Sequence, residues 1–353
     1  MAERSRVEHK GTRKRLPRRN LVKRRAALIG GIRIGAKVHA NALRLFRDNP
    51  ERPMKEIYKE AIGGRGITKN QGIYLARKIR MLKRHYNLLK TLEKRVGVEE
   101  TLVSFCMFRG LTPVLPGQIE GDKLHSAIGK MGDATGLVAF TKGKSGNLPK
   151  IEMDAFGFII TVDAEAFDKM SRNSDTFGGT PESSAGFTNP SLLPVGKGRR
   201  IWVPFTFLPE GPVRVEGTLE HERLHRENIV LGLEKPFDAL PETRSEGRQF
   251  LLEAVRSEFA AHMCHKDPHR MLEFWNDFLK VNKDLLIHHL SIKDLEEIQK
   301  ATHLIVEKAM HIMPNEELVE IIRTTPITKL NRRLRAALGI NAGAENPPAL
   351  AWG

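Results

Sequence analysis

Apolar residues recur at helical spacing along the N-terminal part of the chain. From Leu21 to Arg95 they follow a period near 3.6, which predicts helices, as in the series Ile57, Ala61, Ile73, Leu75, Ile79 and Leu82. A glycine-rich run from Gly63 to Gly66 interrupts this pattern. Pro53 to Tyr86 is therefore predicted to form a helix, a tight glycine turn and a basic helix, which weakly resembles a helix-turn-helix. An ordinary helical hairpin with a solvated basic face fits the same pattern.

The middle of the chain has a different pattern. Three short runs rich in Val, Ile, Phe and Thr predict β-strands, at Gly136–Phe140, Phe156–Val162 and Ile201–Phe207. Between the last two runs, Ser171 to Arg199 is crowded with Ser, Gly, Thr, Asn and Pro, so a long loop is predicted there. Helical spacing returns at Thr218 and continues to about Gly339.

These patterns predict an α+β fold with five segments. They are a basic disordered arm, a basic helical region, a mixed region of strands and helices, a C-terminal helical region and a loose tail rich in Pro and Ala (1–25, 26–115, 116–270, 271–340 and 341–353). The hydrophobic content of 40% is enough to build a core for such a chain.

The positive charge is concentrated at the start of the chain. The net charge is +16, and residues 1–25 hold 11 Lys and Arg against two Glu, which gives +9 in that arm alone. Such density favours contact with nucleic acid through residues 1–25, and the basic helical residues 53–95 extend the same expectation. The arm has no aromatic residue for base stacking, so we expect phosphate contacts without sequence reading. A solubilising or localising tail fits the arm equally well.

Cysteine usage and hydropathy bear on location. The two cysteines, Cys106 and Cys264, are too few and too far apart in sequence for a disulfide framework, which is typical of a reducing compartment. The longest apolar stretches, such as Phe156 to Val162, are far shorter than the roughly 20 residues of a membrane-spanning helix. We therefore predict a cytoplasmic protein without a membrane span.

One short motif carries the chemistry. His221 and His225 lie four residues apart in His221-Glu222-Arg223-Leu224-His225, so on a helix both imidazoles can bind one metal ion. Glu222 is offset by one position and can reach a water bound to that metal without being a ligand. This is the H-E-x-x-H arrangement, in which zinc acidifies its water and the glutamate takes the proton.

Arg223 needs an explanation, because it occupies one of the two middle positions of the motif, which zinc peptidases usually keep uncharged. At about 100° per residue, one face of the predicted helix collects His221, Leu224, His225 and Asn228. The opposite face, which we expect to meet solvent, collects Arg223, Arg226 and Glu227. A charged surface helix whose histidines align by chance remains the alternative. Thr218, after Gly217, is predicted to cap the helix.

A third ligand is expected from further along the chain. The metzincin class requires a glycine at position 228 and a histidine at position 231, and the chain has Asn228 and Leu231, so that class is excluded. The helix predicted from about Glu246 to His265 offers Glu253 and Glu258. Glu258 lies on an apolar stripe with Leu251, Ala254, Val255 and His262. A carboxylate there is costly unless it is paired or bound to metal, so Glu258 is preferred and Glu253 is the fallback.

Taken together, these residues resemble the gluzincin zinc metallopeptidases over about Ile201 to His265. The resemblance implies a zincin-like metallopeptidase domain in residues 116–270, with a small sheet, the motif helix and a second ligand helix. It also implies Zn²⁺ held by His221, His225 and Glu258, with Glu222 as general base and a protein or peptide as substrate. His262, one turn beyond Glu258, is predicted to orient a ligand or to stabilise an oxyanion.

A second class of function stays open at this point. The chain could be a non-enzymatic nucleic-acid-binding protein, with a basic arm and a histidine helix that is structural or that binds metal without turnover. His265, His269 and the pair His288–His289 are interpreted as helix-end or surface histidines, and Cys106 as a buried hydrophobe.

Overall fold

The N-terminal region forms three helices in a computed structural model that describes residues 18–109, 150–162, 164, 167, 186–196, 199–210, 217–234, 243–263, 273 and 283–340. They are α1 (Arg18–Asp48), α2 (Met54–Ile62) and α3 (Lys69–Arg109). The predicted glycine turn between α2 and α3 is confirmed, because Gly63 and Gly64 have φ values of 55° and 73°. This left-handed backbone is the region that favours glycine and ends α2.

A small sheet follows in the chain. Its four strands are β1 (Lys150–Met153), β2 (Phe158–Val162), β3 (Phe187–Gly196) and β4 (Arg199–Pro209). They lie in the order β1-β2-β4-β3, with β2 and β4 parallel and the other two pairs antiparallel. The predicted strands at 156–162 and 201–207 are confirmed by β2 and β4. The predicted strand at 136–140 lies outside the described residues.

The prediction of one long loop from Ser171 to Arg199 is wrong for its last part. Phe187 to Gly196 form β3, which pairs with β4 along its length. Pro190 and Pro194 lie within β3 and suggested a loop, since proline cannot donate a ladder hydrogen bond. In the described part of the sheet β3 is an edge strand, and such strands accept proline where the backbone nitrogen faces away from the partner.

The C-terminal half is helical. Its helices are α4 (Thr218–Val230), α5 (Arg244–His262), α6 (Lys283–His289), α7 (Ile292–Leu304), a π-helical turn (Ile305–Ala309), α8 (Met310–Ile312), α9 (Asn315–Thr324) and α10 (Ile327–Leu338). Capping boxes start two of them, Thr243 with Glu246 at α5 and Ser291 with Asp294 at α7. Gly339, with φ of 74°, ends α10.

Helix α4 lies between two hydrophobic clusters. Leu224 belongs to a large cluster that also takes in α5, the C-terminal helices and Ile32 of α1. Leu231, directly after α4, belongs to a second cluster built from α1, α2, α3 and the β1–β2 turn. Both clusters draw on more than one of the predicted segments. The predicted boundaries at 115 and 270 lie outside the described residues and stay predictions.

The fold is mixed, mostly helical with a small four-stranded sheet, and this agrees with the predicted α+β class. The π-helical turn falls within the C-terminal helices. Among the helices in the described ranges, none combines the length and apolar character that a membrane crossing requires. The parts of the fold that matter for the site are α4, α5 and the two strands β3 and β4.

Candidate metal centre

Helix α4 carries the motif and is started by a glycine. Gly217, with φ of 93°, occupies the N-cap, and His221 N–H donates to Gly217 O over 2.8 Å in the first helical turn. The predicted cap, Thr218, is instead the first helical residue and is buried. The left-handed conformation at position 217 favours glycine, which explains why the cap lies one residue earlier than predicted.

Three donor side chains meet between α4 and α5. Nε2 of His221 and Nε2 of His225 lie 3.2 Å apart. Glu258 of α5 completes a donor triangle with them, because its Oε2 lies 3.6 Å from Nε2 of His221 and its Oε1 lies 3.5 Å from Nε2 of His225. The three side chains are 15%, 9% and 19% exposed, so the triangle is mostly enclosed but not sealed from solvent. Together they form a group that could hold a metal ion.

The size of the triangle can be compared with a zinc site. Zinc binds imidazole nitrogen and carboxylate oxygen at about 2.0–2.1 Å in tetrahedral geometry, which places neighbouring donor atoms about 3.3 Å apart. The Nε2–Nε2 distance of 3.2 Å and the two distances to the carboxylate, 3.5 Å to Oε1 and 3.6 Å to Oε2, lie close to that value. Among the described residues the group offers three protein ligands, as catalytic rather than structural zinc sites do.

The other ring nitrogen of His225 has a carboxylate partner. Nδ1 of His225 lies 3.1 Å from Oε2 of Glu234, and Ser257 Oγ donates to the same oxygen over 2.5 Å. Asn228 Nδ2 in turn donates to Ser257 Oγ over 2.9 Å. A carboxylate on Nδ1 sets the tautomer that leaves Nε2 as the ligand, and such partners typically raise metal affinity. Sequence reasoning missed Glu234 and Ser257.

A turn after α4 brings Glu234 back to the site. Gly232 has φ of 65°, its N–H donates to Ile229 O, and Leu233 N–H donates to Asn228 O. This is the Schellman ending of a helix, which reverses the chain at a left-handed glycine. Glu234 N–H also donates to Asn228 O, so the turn holds this residue beside the last turns of α4. Gly232 in the sequence is the signal that could have located it.

Burial and the closeness of the ionisable groups shift the pKa values of His225 and Glu258. Burial alone lowers the pKa of His225, but the carboxylates of Glu234 and Glu258 more than offset this and raise it well above 6.5. Burial raises the pKa of Glu258, whereas His225 and His221 lower it well below its usual range. The site therefore holds concentrated negative charge that a cation, either a proton or a metal, neutralises.

Glu222 faces the sheet rather than solvent. It is 5% exposed, and its Oε2 accepts a hydrogen bond from Thr188 Oγ1 of β3 over 2.7 Å. Thr188 Oγ1 lies 2.7 Å from Thr206 Oγ1 of β4, which itself accepts from Arg226 Nη1 over 2.5 Å. Strand β3, which the sequence pattern predicts as part of a loop, thus supplies the group that orients the predicted general base. Thr188 is a third residue that sequence reasoning missed.

The charged face of α4 does not meet solvent, so that prediction is wrong. Arg226 and Glu227 are each 1% exposed, and the Arg223 side chain is 16% exposed. Arg226 Nη2 donates to Asp154 Oδ2 over 2.8 Å, in the turn between β1 and β2. The helical wheel gives the direction of a side chain but not what covers it, and here other elements pack on both sides of α4.

Buried ion pairs continue from Glu227 into the helical core. Glu227 accepts from Arg223 on its own helix and from Arg323 Nη1 of α9 over 2.9 Å. Arg323 also pairs with Glu320 over 2.8 Å, and Glu320 accepts from Lys78 Nζ of α3 over 2.8 Å. Burial raises the pKa of Glu320, but Arg323 and Lys78 together lower it to about 2. This chain of pairs ties α3, α4 and α9 together behind the histidines.

The remaining predicted residues fall on both sides of the site. His262 Nε2 lies 3.8 Å from Glu258 Oε2, and its ring stands edge-on to His221 with centroids 4.5 Å apart. Glu253, the fallback ligand, accepts from Gln249 along α5 and is not part of the donor group. His288 is exposed, whereas His289 is half-buried. Cys264, His265 and His269 lie outside the described residues, and nothing is described of the Cys106 side chain.

No family model matches the sequence, no curated protein matches it, and no solved structure matches the fold. The function of the chain therefore has to be inferred from the chemistry of its own residues. The groups that bear on the function are the donor triangle, the carboxylate beside Nδ1 of His225 and the buried Glu222.

Removing the Glu234 carboxylate is expected to weaken zinc binding without removing a ligand. Glu234→Ala should lower zinc affinity roughly 10- to 100-fold, because Nδ1 of His225 loses the partner that fixes its ring. Competition with a zinc-sensitive dye measures the affinity. Glu220→Ala removes the same charge from the exposed side of α4 and should leave the affinity unchanged. Equal affinities for the two variants would rule out this role for Glu234.

Proposed function

We propose that this protein is a zinc-dependent metallopeptidase of the gluzincin type. The observation that carries the proposal is the triangle of His221 Nε2, His225 Nε2 and the Glu258 carboxylate, with edges of 3.2 to 3.6 Å. Its dimensions suit one tetrahedral ion, and its partial exposure is compatible with water as a fourth ligand. The Glu234 partner on Nδ1 of His225 supports the same reading.

Zinc fits this donor set better than magnesium or calcium does. Magnesium and calcium prefer sites made wholly of oxygen atoms, whereas two imidazoles and one carboxylate are a catalytic zinc set. The arrangement of elements supports a zincin-like core in residues 116–270. In it α4 packs against β3 and β4, and α5 supplies the third ligand.

The residues can be given separate roles. His221, His225 and Glu258 would hold the ion, which supplies Lewis-acid polarisation and acidifies water when bound. Glu222 takes the proton of the attacking water, and Thr188 holds Oε2 of that carboxylate in place. His262, beside His221, is placed to orient Glu258 or to donate a hydrogen bond to a developing oxyanion.

The substrate class and the place of action are inferred from the sequence. Protein or peptide is the substrate class that the gluzincin resemblance implies. The two widely spaced cysteines suit a reducing compartment, so the cytoplasm is the proposed location. Neither statement depends on the geometry of the donor triangle.

A peptide library tests the proposed function. Zinc-loaded protein is incubated with peptides derived from a whole proteome, and new N-termini are identified by mass spectrometry. We expect new termini that share sequence preferences around the cleaved bond. They should disappear after removal of the metal with a chelator and return when zinc is added back. Zinc-loaded protein that yields no new termini contradicts the proposal.

A further inference from the structure

One face of α3 is exposed and strongly basic. Ile73, Arg77, Arg80 and Arg84 recur at positions i, i+4, i+7 and i+11, so they form one stripe along the helix, and all four are exposed. Tyr74 lies beside the start of this stripe and is 44% exposed. The opposite side of α3 is buried in the second hydrophobic cluster, through Leu75, Ile79 and Leu82.

The charge of this stripe is not balanced by carboxylates. From position 69 to position 92 there is no Asp or Glu, and there are seven cations, Lys69, Arg77, Lys78, Arg80, Lys83, Arg84 and Lys90. Lys78 is paired with buried Glu320, and Lys83 donates to Pro50 O. Within the described part of the chain, the three arginines of the stripe form no ion pair. Arg52, ahead of α2, pairs with Glu56 and Glu60 and shows the contrast.

The stripe is held on a rigid support. Gly72 of α3 lies so close to α2 that an added Cβ would be 2.9 Å from Tyr58 Oη. Gln71 Nε2 donates to Gly31 O of α1 over 2.7 Å, and Thr68 and Gln71 exchange hydrogen bonds at the start of α3. The basic helix is therefore fixed against both α1 and α2. A fixed cationic surface loses little conformational entropy when it binds an anion.

We propose that this stripe of α3 docks onto double-stranded DNA through its phosphates, independently of the proposed metal centre. The stripe from Ile73 to Arg84 is about 17 Å long at 1.5 Å per residue, and the major groove of B-form DNA, about 12 Å wide, admits a helix. Arg77, Arg80 and Arg84 contact the phosphates on the groove walls, which positions the helix without reading sequence. The major groove of A-form RNA is too narrow for a helix, so DNA is the partner.

Fluorescence anisotropy with a labelled DNA duplex of about 20 base pairs of arbitrary sequence tests this proposal. The variant Arg77→Gln/Arg80→Gln/Arg84→Gln removes three charges from the stripe. Its matched control, Lys329→Gln/Arg332→Gln/Arg333→Gln, removes three exposed charges from α10. Both variants keep the whole basic N-terminal arm, and circular dichroism verifies that both are folded. An RNA duplex of the same sequence serves as the second probe.

The expected result is a specific loss in the α3 variant. Its DNA affinity at 0.1 M salt should fall at least about tenfold, and the slope of log K against log salt concentration should shrink by about 2.7, since each lost phosphate contact removes about 0.9. The α10 control should bind like the unmodified protein, and RNA should bind more weakly than DNA. Equal losses in the two variants, no loss in either, or tighter binding of RNA would each overturn the proposal.

Discussion

Glu222→Gln is expected to abolish nearly all peptide hydrolysis while zinc stays bound. The amide has the shape of the carboxylate and can still accept from Thr188, but it cannot take a proton from water. Loss of a general base typically costs roughly 10²- to 10⁴-fold in rate, so kcat/KM should fall by that factor. Initial rates on a peptide found in the library measure it, with zinc content determined on the same samples.

The matched control for this prediction lies two residues earlier. Glu220→Gln makes the same chemical change on the exposed side of α4, where Glu220 pairs with Arg223. It should leave kcat/KM within about twofold, as expected of an exposed ion pair away from the site. Activity of Glu222→Gln equal to that of Glu220→Gln would show that Glu222 is not the base, even with zinc bound.

Glu227→Gln is expected to lower the free energy of unfolding by about 3–5 kcal/mol. The substitution removes the carboxylate that Arg223 and Arg323 share and leaves them only Glu220 and Glu320. Loss of one partner of a buried ion pair costs about that much. The pKa of Glu227 is lowered by the two arginines despite burial, which shows that the carboxylate is the form they stabilise. Urea unfolding, followed by circular dichroism with zinc in equal excess, measures the change.

Glu220→Gln again supplies the comparison, because Glu220 shares Arg223 but is 55% exposed. An exposed pair contributes about 1 kcal/mol or less, so the control should lose far less stability. A loss for Glu227→Gln no larger than that of the control would mean that the buried pairs behind the histidines do not hold α4 in place.

The grouping of His221, His225 and Glu258 could be predicted from the sequence because spacing and burial both constrain these residues. Two histidines four apart must share a helix face, whatever the rest of the fold does. The choice of Glu258 over Glu253 rested on the cost of a carboxylate among apolar neighbours. In the structure it is Glu258 that lies beside the histidines, while Glu253 pairs along its own helix with Gln249.

The surroundings of the site could not be predicted in the same way. The buried partners of Arg226 and Glu227 come from Asp154 and Arg323, which are 72 and 96 residues away in sequence. A helical wheel contains no information about such distant elements, so it places the face of Arg226 and Glu227 toward solvent. Whether a charged face is exposed depends on which carboxylates and cations the fold brings against it.

The sequence contains local signals for the residues that support the site. Two prolines favour a loop over the strand β3, which carries Thr188. The structure differs because an edge strand tolerates residues that an inner strand does not. Gly232 marked the turn that returns Glu234 to His225, and a Schellman ending is recognisable from such a glycine. The glycine turn between α2 and α3 is predictable because the glycine-rich run from Gly63 to Gly66 interrupts the helical spacing.

The zinc content of three purified proteins tests the metal centre most directly. Unmodified protein, Glu258→Ala and Glu253→Ala are loaded with zinc, dialysed against a competing chelator and analysed by elemental mass spectrometry. We expect about one zinc per chain in the unmodified protein and in Glu253→Ala, and little or none in Glu258→Ala, which lacks one corner of the triangle. No bound zinc in the unmodified protein, or equal zinc in the two variants, would contradict a centre formed by His221, His225 and Glu258.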